Sequence, residues 1–423
     1  MSQKNTLIIF LLSLLCVWLV ACEQVASSFE CTDRIGCVTI GPDQPINLGI
    51  LQALSGGAEP IGQEQSQTIE LAISERNNQL LEHAIELQVE DSKCSIEGGA
   101  NAALKAVANP QIVAILGPTC SGAATSAAKT MAEVGLVMVS GTTVAPSLTG
   151  IRGKKGADWQ AGYFRTIYNG VDQGQAAAIF AFQQLGIRKA ATINDGDAYT
   201  EGLTDVFEQV FTELGGEIVL TTAVNRGDTN MQPVLTAVAN AKAEFLFFPL
   251  IQPEGDYIIK QMKEVADLAN TADEKKLILM SASALLTDTL IESVEEDGVG
   301  IYFVGPAPLQ NSANNELISK YKARYGAAPP ATFYSYTYDA TNLLLDAIEA
   351  VAIQEEDGTL HIGRHALREA MYQSTEFKGV TGTLSCNQFG DCGVAKFNIM
   401  RLDDPALGIE GVESNVIYTY ITS

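Results

Sequence analysis

Small and hydroxyl-bearing residues fill the loop from Gly117 to Gly122, which follows an apolar run at residues 112–116. The run predicts a buried strand, and the pattern after the loop predicts a helix. Glycine lets the backbone approach a ligand closely, and the first turn of a helix offers unpaired N–H groups and the positive end of the helix dipole. The loop therefore predicts an anion site suited to a carboxylate, in which Ser121 contacts the ligand, caps the helix or does both.

A second loop of the same character, from Ser140 to Pro146, follows the next apolar run at residues 136–139. Thr142 and Thr143 in this loop supply hydroxyl groups beside backbone N–H groups. Ligands of open parallel sheets bind beyond the carboxyl ends of the strands, where loops from neighbouring strands meet. We therefore expect the two loops to face the same ligand.

Two acidic residues and a tyrosine follow the apolar run at residues 189–194. Asp195 and Asp197 suggest a calcium loop, but no Asp or Asn stands at the next alternate position and no glutamate closes the pattern. We interpret both as turn residues. Tyr199 either presents its aromatic ring to the predicted cleft or packs on the helix that follows it.

Motifs for catalysis and for cofactor binding are missing from the chain. It has no Gly-x-Ser-x-Gly elbow, no phosphate-binding loop ending in Gly-Lys-Ser/Thr and no Gly-x-Gly-x-x-Gly after a strand. The three histidines are His83, His361 and His365, and two histidines without a third ligand are more typical of a surface than of a metal site. The sequence therefore predicts a binding protein and not an enzyme, with neither a metal nor a cofactor.

The elements that position these loops alternate along the chain. We predict strands at 46–54, 84–90, 112–116, 136–139, 189–194, 217–222, 244–248, 277–280 and 299–304. We predict helices at 62–78, 100–108, 122–134, 200–213, 231–241, 255–268, 312–325, 335–352 and 363–373. Fully apolar strands separated by helices indicate parallel sheets with helices on both faces, joined by right-handed crossovers. The predicted fold class is α/β.

The N-terminus has the pattern of an export signal. Lys4 precedes an apolar run from Leu7 to Val20, which is too short for an ordinary membrane span. The run ends in Leu-Val-Ala-Cys22, which resembles the bacterial lipobox and implies cleavage before Cys22 and acylation of its sulfur. The alternative is an uncleaved helix with an incidental cysteine. Two or three acyl chains give stable anchoring, so we expect an extracytoplasmic, lipid-anchored protein.

Length and charge narrow the function classes. The chain has 423 residues and a net charge of −24, and about 400 residues remain beyond the predicted signal peptide. This length exceeds one ordinary core and predicts two domains. The acidic balance argues against nucleic acid as a partner, because such binding needs a basic face.

Six cysteines follow the lipobox, and their number fits an oxidising compartment. Two close pairs each enclose five residues with a glycine among them, and pairing these locally leaves the last two cysteines for each other. The pairs are Cys31 with Cys37, Cys386 with Cys392, and Cys94 with Cys120. A zinc site is the alternative, but Cys-x5-Cys is not zinc-finger spacing and no histidine lies nearby. We favour three disulfides.

Six short motifs lie in order between residues 45 and 420. They are Asn47-Leu-Gly-Ile with Leu54-Ser-Gly56, Glu90-Asp91-Ser-Lys-Cys94, Gly117-Pro-Thr-Cys-Ser121, Val139-Ser-Gly-Thr-Thr, Phe164-Arg-Thr166 and Gly379-Val-Thr-Gly-Thr383. Together they resemble the type I periplasmic binding proteins, specifically the branched-chain amino-acid (leucine/isoleucine/valine) binding group. The order and spacing of the motifs carry the resemblance, since no single motif is decisive.

The resemblance implies a two-lobed fold, in which each lobe is a parallel sheet flanked by helices and three crossover segments form a hinge. Ligand bound to one lobe would recruit the other. The implied segments are a signal peptide at 1–21, a tether at 22–44, lobe one at 45–165 plus 305–393, and lobe two at 166–304 plus 394–423. The family also implies a bridge between Cys94 and Cys120 beside the site.

The resemblance carries over part of the family's ligand set. Ser121 matches the serine that holds the ligand carboxylate, and Thr142 and Thr143 match positions of backbone contact. Tyr199 matches a cleft tyrosine of the second lobe. These four residues are the predicted ligand contacts that agree with the family.

Four further positions depart from the family pattern. Val144 replaces a threonine that touches the carboxylate and ammonium of the ligand, and Ile61 stands near a first-lobe aromatic. Ile251 or Gln252 stands near a second-lobe tyrosine. Ser283 replaces the glutamate that pairs with the ammonium.

The loss of that glutamate bears on the ligand, because an unpaired buried ammonium costs several kcal/mol. Either Asp195, Asp197 or Asp256 substitutes for it, or the ligand lacks the amine. The Gly/Ser/Thr-rich loops still favour a carboxylate or another acceptor-rich group.

We therefore expect the solute-binding protein of an ABC importer, a monomer that captures a small amino acid or a related carboxylate or amide. Its expected partners are the small-molecule ligand, permease and ATPase subunits, and the membrane through the lipid anchor. A stand-alone receptor of the same fold, which signals through a separate partner, is the alternative. A secreted enzyme on a two-lobed scaffold is a third hypothesis, against which the missing catalytic motifs count.

Overall fold

The computed structural model describes residues 29–265, 277–393 and 396–421. Within these residues, two large sheets hold most of the strands, and helices cover both faces of each sheet. The predicted signal peptide and Cys22 lie outside the described residues. No helix in the described ranges is long and apolar enough to cross a bilayer.

The strands alternate with helices over most of the chain. In chain order they are β1 (Cys37–Ile40), β2 (Ile46–Gln52), β3 (Gln79–Leu80), β4 (His83–Asp91), β5 (Ile112–Leu116), β6 (Val137–Ser140), β7 (Gly150–Ile151), β8 (Lys154–Lys155), β9 (Tyr163–Arg165), β10 (Lys189–Asn194), β11 (Glu217–Ala223), β12 (Phe245–Phe247), β13 (Ile278–Ala282), β14 (Tyr302–Pro306), β15 (Ile353–Gln354), β16 (Leu360–Gly363), β17 (Phe377–Lys378), β18 (Thr383–Leu384), β19 (Lys396–Arg401) and β20 (Val416–Ile421).

The α-helices are α1 (Glu59–Glu75), α2 (Ile96–Val107), α3 (Ser121–Glu133), α4 (Gly170–Ile179), α5 (Ala198–Glu213), α6 (Gln232–Asn240), α7 (Glu254–Met262), α8 (Asp288–Val294), α9 (Ser312–Tyr325), α10 (Tyr334–Val351), α11 (Arg364–Gln373) and α12 (Gly408–Ser414). A π-helical turn at Phe180–Gln184 extends α4. Short 3-10 turns lie at Pro146–Leu148, Glu295–Gly298 and Pro405–Leu407.

The first sheet has the order β3-β4-β2-β5-β6-β9, and only its β3 edge pairs antiparallel. Strand β5 is buried along its whole length, because helices cover both faces. One face packs on α1 and α10 through residues such as Ile69 and Leu344, and the other packs on α2 and α3 through Ala102 and Ala127. Parallel order brings the carboxyl ends of β2, β5 and β6 to one edge, where the predicted binding loops begin.

The second sheet has the order β11-β10-β12-β13-β14-β19-β20. Strands β10 to β14 pair parallel, while β19 and β20 run antiparallel to their neighbours. Helices α4 and α5 cover one face through Ala177 and Phe207, and helices α6 to α8 cover the other through residues such as Leu235 and Ile258. Five of its strands form the expected parallel sheet, and β19 and β20 extend it with antiparallel pairing.

Most predicted elements coincide with observed ones within a few residues, and three of them coincide in full, namely β5, β10 and α9. Helix α4 has no counterpart among the predictions, because its apolar residues are mostly alanines and give little amphipathic contrast. Strand β20 has none either, because it is an edge strand whose residues alternate between exposed and half-buried.

Part of the expected tether is folded. Residues 37–40 form β1, which pairs antiparallel with β16. Val38 and Ile40 from this strand are buried in the core of the first sheet. The tether prediction is wrong for this stretch, because two apolar residues at alternate positions are enough to fasten a short strand.

The chain passes between the two sheets three times, after Arg165 at the end of β9, after Pro306 at the end of β14, and just before Lys396 at the start of β19. Helices α10 and α11, which follow the second passage, pack on the first sheet. The sheets are therefore joined by three segments, as the sequence resemblance implies.

Three disulfides join the cysteine pairs that the sequence predicts. They are Cys31–Cys37, Cys94–Cys120 and Cys386–Cys392. The second bridge ties the loop after β4 to the start of α3, beside the edge of the first sheet where the strands end.

Candidate functional site

A cavity of about 50 Å³ lies where the carboxyl ends of the two sheets face each other. Hydroxyl-bearing residues contribute to its wall from both sides, and apolar residues and the Cys94–Cys120 bridge fill much of the remainder. On the side of the first sheet the wall includes Ala58, Ile61, Thr119, Ser121, Thr142 and Val144. On the side of the second sheet it includes Tyr168, Asp197, Tyr199, Thr200, Arg226, Ile251, Ser283 and Ala284. Phe333, from the loop before α10, also lines the cavity.

Ser121 is the first residue of α3, and the capping position before it belongs to Cys120, which makes no side-chain capping bond. The Ser121 hydroxyl oxygen accepts a hydrogen bond from the Ala145 backbone N–H at 3.2 Å. Ser121 therefore does not cap the helix, and that alternative is wrong. Its hydroxyl ties the first predicted loop to the second.

The two threonines of the second loop face different ways. The Thr142 hydroxyl lines the cavity, donates to the Thr119 carbonyl at 2.9 Å and accepts from the Gln65 side chain at 2.8 Å. Thr143 does not line the cavity, and its hydroxyl is hydrogen-bonded to the Tyr163 hydroxyl inside the first sheet. The loop thus presents one hydroxyl to the cavity and uses the other as an anchor.

A buried arginine holds this loop in place. The Arg165 guanidinium donates to the carbonyls of Thr143 and Ala145 at 3.1 and 2.9 Å and pairs with Asp391 at 2.6 Å. The side chain of Arg165 is 0% exposed. Because these carbonyls are fixed, the backbone N–H of Ala145 stays in place to donate to the Ser121 hydroxyl. Arg165 is therefore a positioning residue for the second loop. The sequence contains it within one of the matched motifs, but its type and spacing alone do not reveal this role.

Tyr199 presents a polar group that has no partner. Its hydroxyl oxygen is buried and makes no hydrogen bond, although the backbone N–H of Ala284 lies nearby. Burial raises the pKa of Tyr199 well above its usual value, so the phenol stays neutral. Of the two alternatives from the sequence, the structure places Tyr199 at the cavity wall. Buried hydroxyls are normally bonded, so an unpartnered one at a cavity wall is a candidate ligand contact.

Ser283 occupies the position where the family resemblance expects a glutamate, and it lines the cavity. Its hydroxyl oxygen lies 3.1 Å from the Tyr168 hydroxyl and accepts from the Gln173 side chain at 3.1 Å. Burial raises the pKa of Tyr168, which also stays neutral. Neither residue brings a charge to this side of the cavity.

The wall contains two charged residues, Asp197 and Arg226, and Asp195 pairs with the same arginine from outside the wall. Arg226 donates to Asp195 and to Asp197 at 2.9 Å each and also to the Cys94 carbonyl on the side of the first sheet. Asp197 accepts from the backbone N–H of Tyr199 at 2.9 Å and so caps α5. Burial raises the pKa of Asp197, and Arg226 opposes this rise.

The remaining predicted contacts divide between the cavity and its surroundings. Ile61 and Val144 line the cavity, and both belong to the apolar core of the second sheet and its helices. Gln252 does not line it, because its side chain bonds to Asp256, Thr287 and Thr289. Its neighbour Ile251 lines the cavity instead.

The aspartates proposed as substitutes for the missing glutamate differ in position. Asp197 lines the cavity, whereas Asp195 and Asp256 do not. Asp195 accepts from the Thr200 hydroxyl and from Arg226, and Asp256 accepts from Gln252. Only Asp197 is therefore placed to meet a ligand.

A model of the periplasmic binding protein family matches residues 45–404 of this chain. The chain belongs to the periplasmic binding protein family. The Leu/Ile/Val-binding protein BraC3 of Rhizobium johnstonii is 24% identical to it over 358 residues, which cover 84% of this chain and 91% of BraC3.

Solved structures share the fold of this periplasmic binding protein. The leucine binding protein LivK from Thermotoga maritima has a TM-score of 0.72 at 23% identity, covering 85% of this chain and 96% of LivK. A solute binding protein of an ABC transporter from R. palustris, solved in complex with benzoate, has a TM-score of 0.70 at 22% identity, covering 85% of this chain and 93% of its own.

Among the cavity residues of this periplasmic binding protein that sequence reasoning misses are Tyr168, Arg226 and Phe333. Arg226 and Phe333 follow no apolar strand directly, and Tyr168 lies in the passage between the sheets. Their positions depend on how the two sheets face each other. In the described ranges no group of three or more His, Cys, Asp or Glu side chains is placed to hold a metal ion.

Proposed function

We propose that this protein is the extracytoplasmic substrate-binding protein of an ABC importer and that it captures a small solute by closing two lobes around it. One observation carries the proposal: the wall of the cavity is shared between two sheets that three chain segments join. Such an arrangement lets a ligand bridge two rigid bodies, so that binding and closure are coupled.

The proposed lobes follow the boundaries that the sequence resemblance implies. Lobe one comprises 45–165 plus 305–393, and lobe two comprises 166–304 plus 394–423. Ligand contacts from lobe one are Ile61, Ser121, Thr142 and Val144, and those from lobe two are Tyr199 and Ser283. Thr143 and Gln252 act as anchors of their loops, because their side chains bond within their own lobes.

The solute is a small amino acid or a related carboxylate or amide. BraC3 is named for leucine, isoleucine and valine, and the R. palustris protein was solved with benzoate. The mixed wall of apolar groups and neutral hydroxyls suits a short apolar chain with one polar end.

Delivery of the solute requires a permease and cytosolic ATPases, which are the proposed partners. The lipobox-like sequence before Cys22 supports a lipid anchor on that cysteine, preceded by a signal peptide at residues 1–21. An anchor keeps the monomeric binding protein near the permease on the outer side of the membrane.

The test is a thermal-shift screen of protein that starts after Cys22 and has been refolded to remove bound ligand. The panel contains amino acids, short organic acids, amides and polyamines. A ligand that binds only the native state raises the melting temperature. X-ray scattering with and without each hit then measures closure. A hit that leaves the radius of gyration unchanged, or a silent panel, would count against the proposed function.

A further inference from the structure

The start of α3 already holds a carboxylate, and that carboxylate belongs to the protein. Asp197, which precedes α5, accepts a hydrogen bond from the Gly122 backbone N–H of α3 at 3.2 Å. A Cβ atom on Gly122 would lie only 2.1 Å from Asp197 Oδ2, so the glycine makes room for this approach. The sequence predicts this helix start as the anion site for a ligand, and a side chain of the second sheet occupies it.

The nearby cation offers no second anion site. Each of the three side-chain nitrogens of Arg226 already donates to a protein group, namely Asp195, Asp197 and the Cys94 carbonyl. Two aspartates around one arginine leave a net negative cluster. A ligand carboxylate that entered here would meet like charge, which is strongly unfavourable in a site shielded from water.

The polar groups left for a ligand are neutral hydroxyls. The Tyr199 hydroxyl is buried at the cavity wall without a hydrogen-bond partner, and the Ser121 hydroxyl, which accepts from the Ala145 N–H, can still donate its proton. Near the Tyr199 hydroxyl the wall is apolar, with Ile61 and Val144 among its residues. The cavity is small, with a volume of about 50 Å³, which points to a small ligand.

We infer that the cleft selects small uncharged molecules, such as a primary amide on a short branched chain, and that Asp197 excludes the matching carboxylates by occupying the start of α3. The inference rests on the proposed function and names the class of solute within it. Asp197 thus acts as a specificity-determining residue.

The test compares isobutyramide with isobutyrate at neutral pH by isothermal titration calorimetry. The two probes have nearly the same shape and differ in charge. Wild-type protein is expected to bind the amide about tenfold more tightly than the carboxylate, or better. The Asp197→Ser variant keeps a residue that caps helices well but is too short to reach Gly122. In this variant the ratio should fall to about threefold or less, mainly because isobutyrate binds more tightly.

Asp404→Ser is the matched control, because Asp404 also caps a helical turn but does not line the cavity. This control variant should keep the wild-type preference for isobutyramide over isobutyrate. Equal affinity of wild-type protein for the two probes, or binding of neither, would overturn the inference. In that event a hit elsewhere in the solute panel, with closure, would leave the proposed function standing. If Asp197→Ser does not fold, the inference is judged by the ratio of the two affinities in wild-type protein alone.

Discussion

The Arg165 guanidinium lies 2.6 Å from the Asp391 carboxylate, at the point where the chain first leaves the first sheet. The side chain of Arg165 is 0% exposed and that of Asp391 is 13% exposed. Asp391 also accepts from the Thr149 hydroxyl at 2.8 Å. This pair therefore fastens the loop behind the cavity to a segment more than two hundred residues later in the chain.

Asp391→Asn is expected to lower the free energy of unfolding by about 3–5 kcal/mol, because it leaves a buried guanidinium without its counter-charge. Urea denaturation measures the change. The control is Asp297→Asn, which breaks a 2.9 Å pair with Lys263 whose side chains are 45% and 41% exposed. The control should cost about 1 kcal/mol or less. Equal losses in the two variants would contradict the structural role of the buried pair.

The raised pKa of Glu64 predicts that the free energy of unfolding depends on pH. Glu64 is fully buried in α1, accepts from the backbone N–H groups of Ala331 and Phe333, and has a pKa raised by burial to about 8 from a usual value of 4.5. The folded protein therefore binds a proton that the unfolded chain releases, so the contribution of Glu64 to stability is fully present below pH 4.5 and is lost as the pH rises through 8.

Glu64→Gln should remove this contribution. The difference in unfolding free energy between wild-type protein and the variant is expected to shrink, or reverse in favour of the variant, between pH 4.5 and 8. Urea denaturation at several pH values measures it. Subtracting the variant corrects for Asp339 and Glu413, whose pKa values burial also raises, to about 6 and about 7. Parallel curves for the two proteins would show that Glu64 does not titrate in this range.

Tyr199→Phe should separate binding from stability. Removing a buried hydroxyl without a partner is expected to leave the unfolding free energy unchanged or to raise it by about 1 kcal/mol. Affinity for the solute found in the panel should fall by between about twofold and tenfold, because one neutral hydrogen bond is lost. Calorimetry and urea denaturation measure the two effects.

The matched control is Tyr321→Phe. The hydroxyl of Tyr321 donates a hydrogen bond to Gln67, and neither residue lines the cavity. This variant should lose about 1 kcal/mol of stability and keep its affinity. If Tyr199→Phe instead destabilises the protein and binds the solute normally, the hydroxyl has a structural role and does not contact the ligand.

The close approach of Gly57 to Gln252 suggests a substitution that would hold the cleft open. A Cβ atom at this position would lie 2.2 Å from the Gln252 carbonyl oxygen, and the two residues belong to loops from different sheets. Gly57→Ala is therefore expected to weaken solute binding and to increase the radius of gyration, while the unfolding free energy changes little. Calorimetry and X-ray scattering measure these effects.

Gly41→Ala is the control for Gly57→Ala, because its Cβ atom would meet only the Gln44 side chain at 3.4 Å. It should bind solute as wild-type protein does. Unchanged binding in Gly57→Ala would mean that the two loops need not approach this closely in the bound state.

The sequence by itself determined the parts that depend on local patterns. Continuous apolar runs such as 112–116 mark strands buried on both faces, because helices must cover such runs on each side. The three bridges were predicted correctly, because local pairing of the two close pairs leaves one pair over and the family resemblance implies the same third bridge. The loops after β5 and β6 were predicted to share a site, because the carboxyl ends of parallel strands meet at one edge.

The tertiary structure alone decided which groups reach the cavity. Thr142 and Thr143 have the same chemistry, and only the packing of Tyr163 shows which of them is an anchor. The contact between Asp197 and Gly122 joins residues 75 positions apart, which follow strands of different sheets. No periodicity encodes such a contact, because it depends on the angle and distance at which two separately folded sheets face each other. For the same reason, the sequence did not reveal that Asp197 lies at the start of α3.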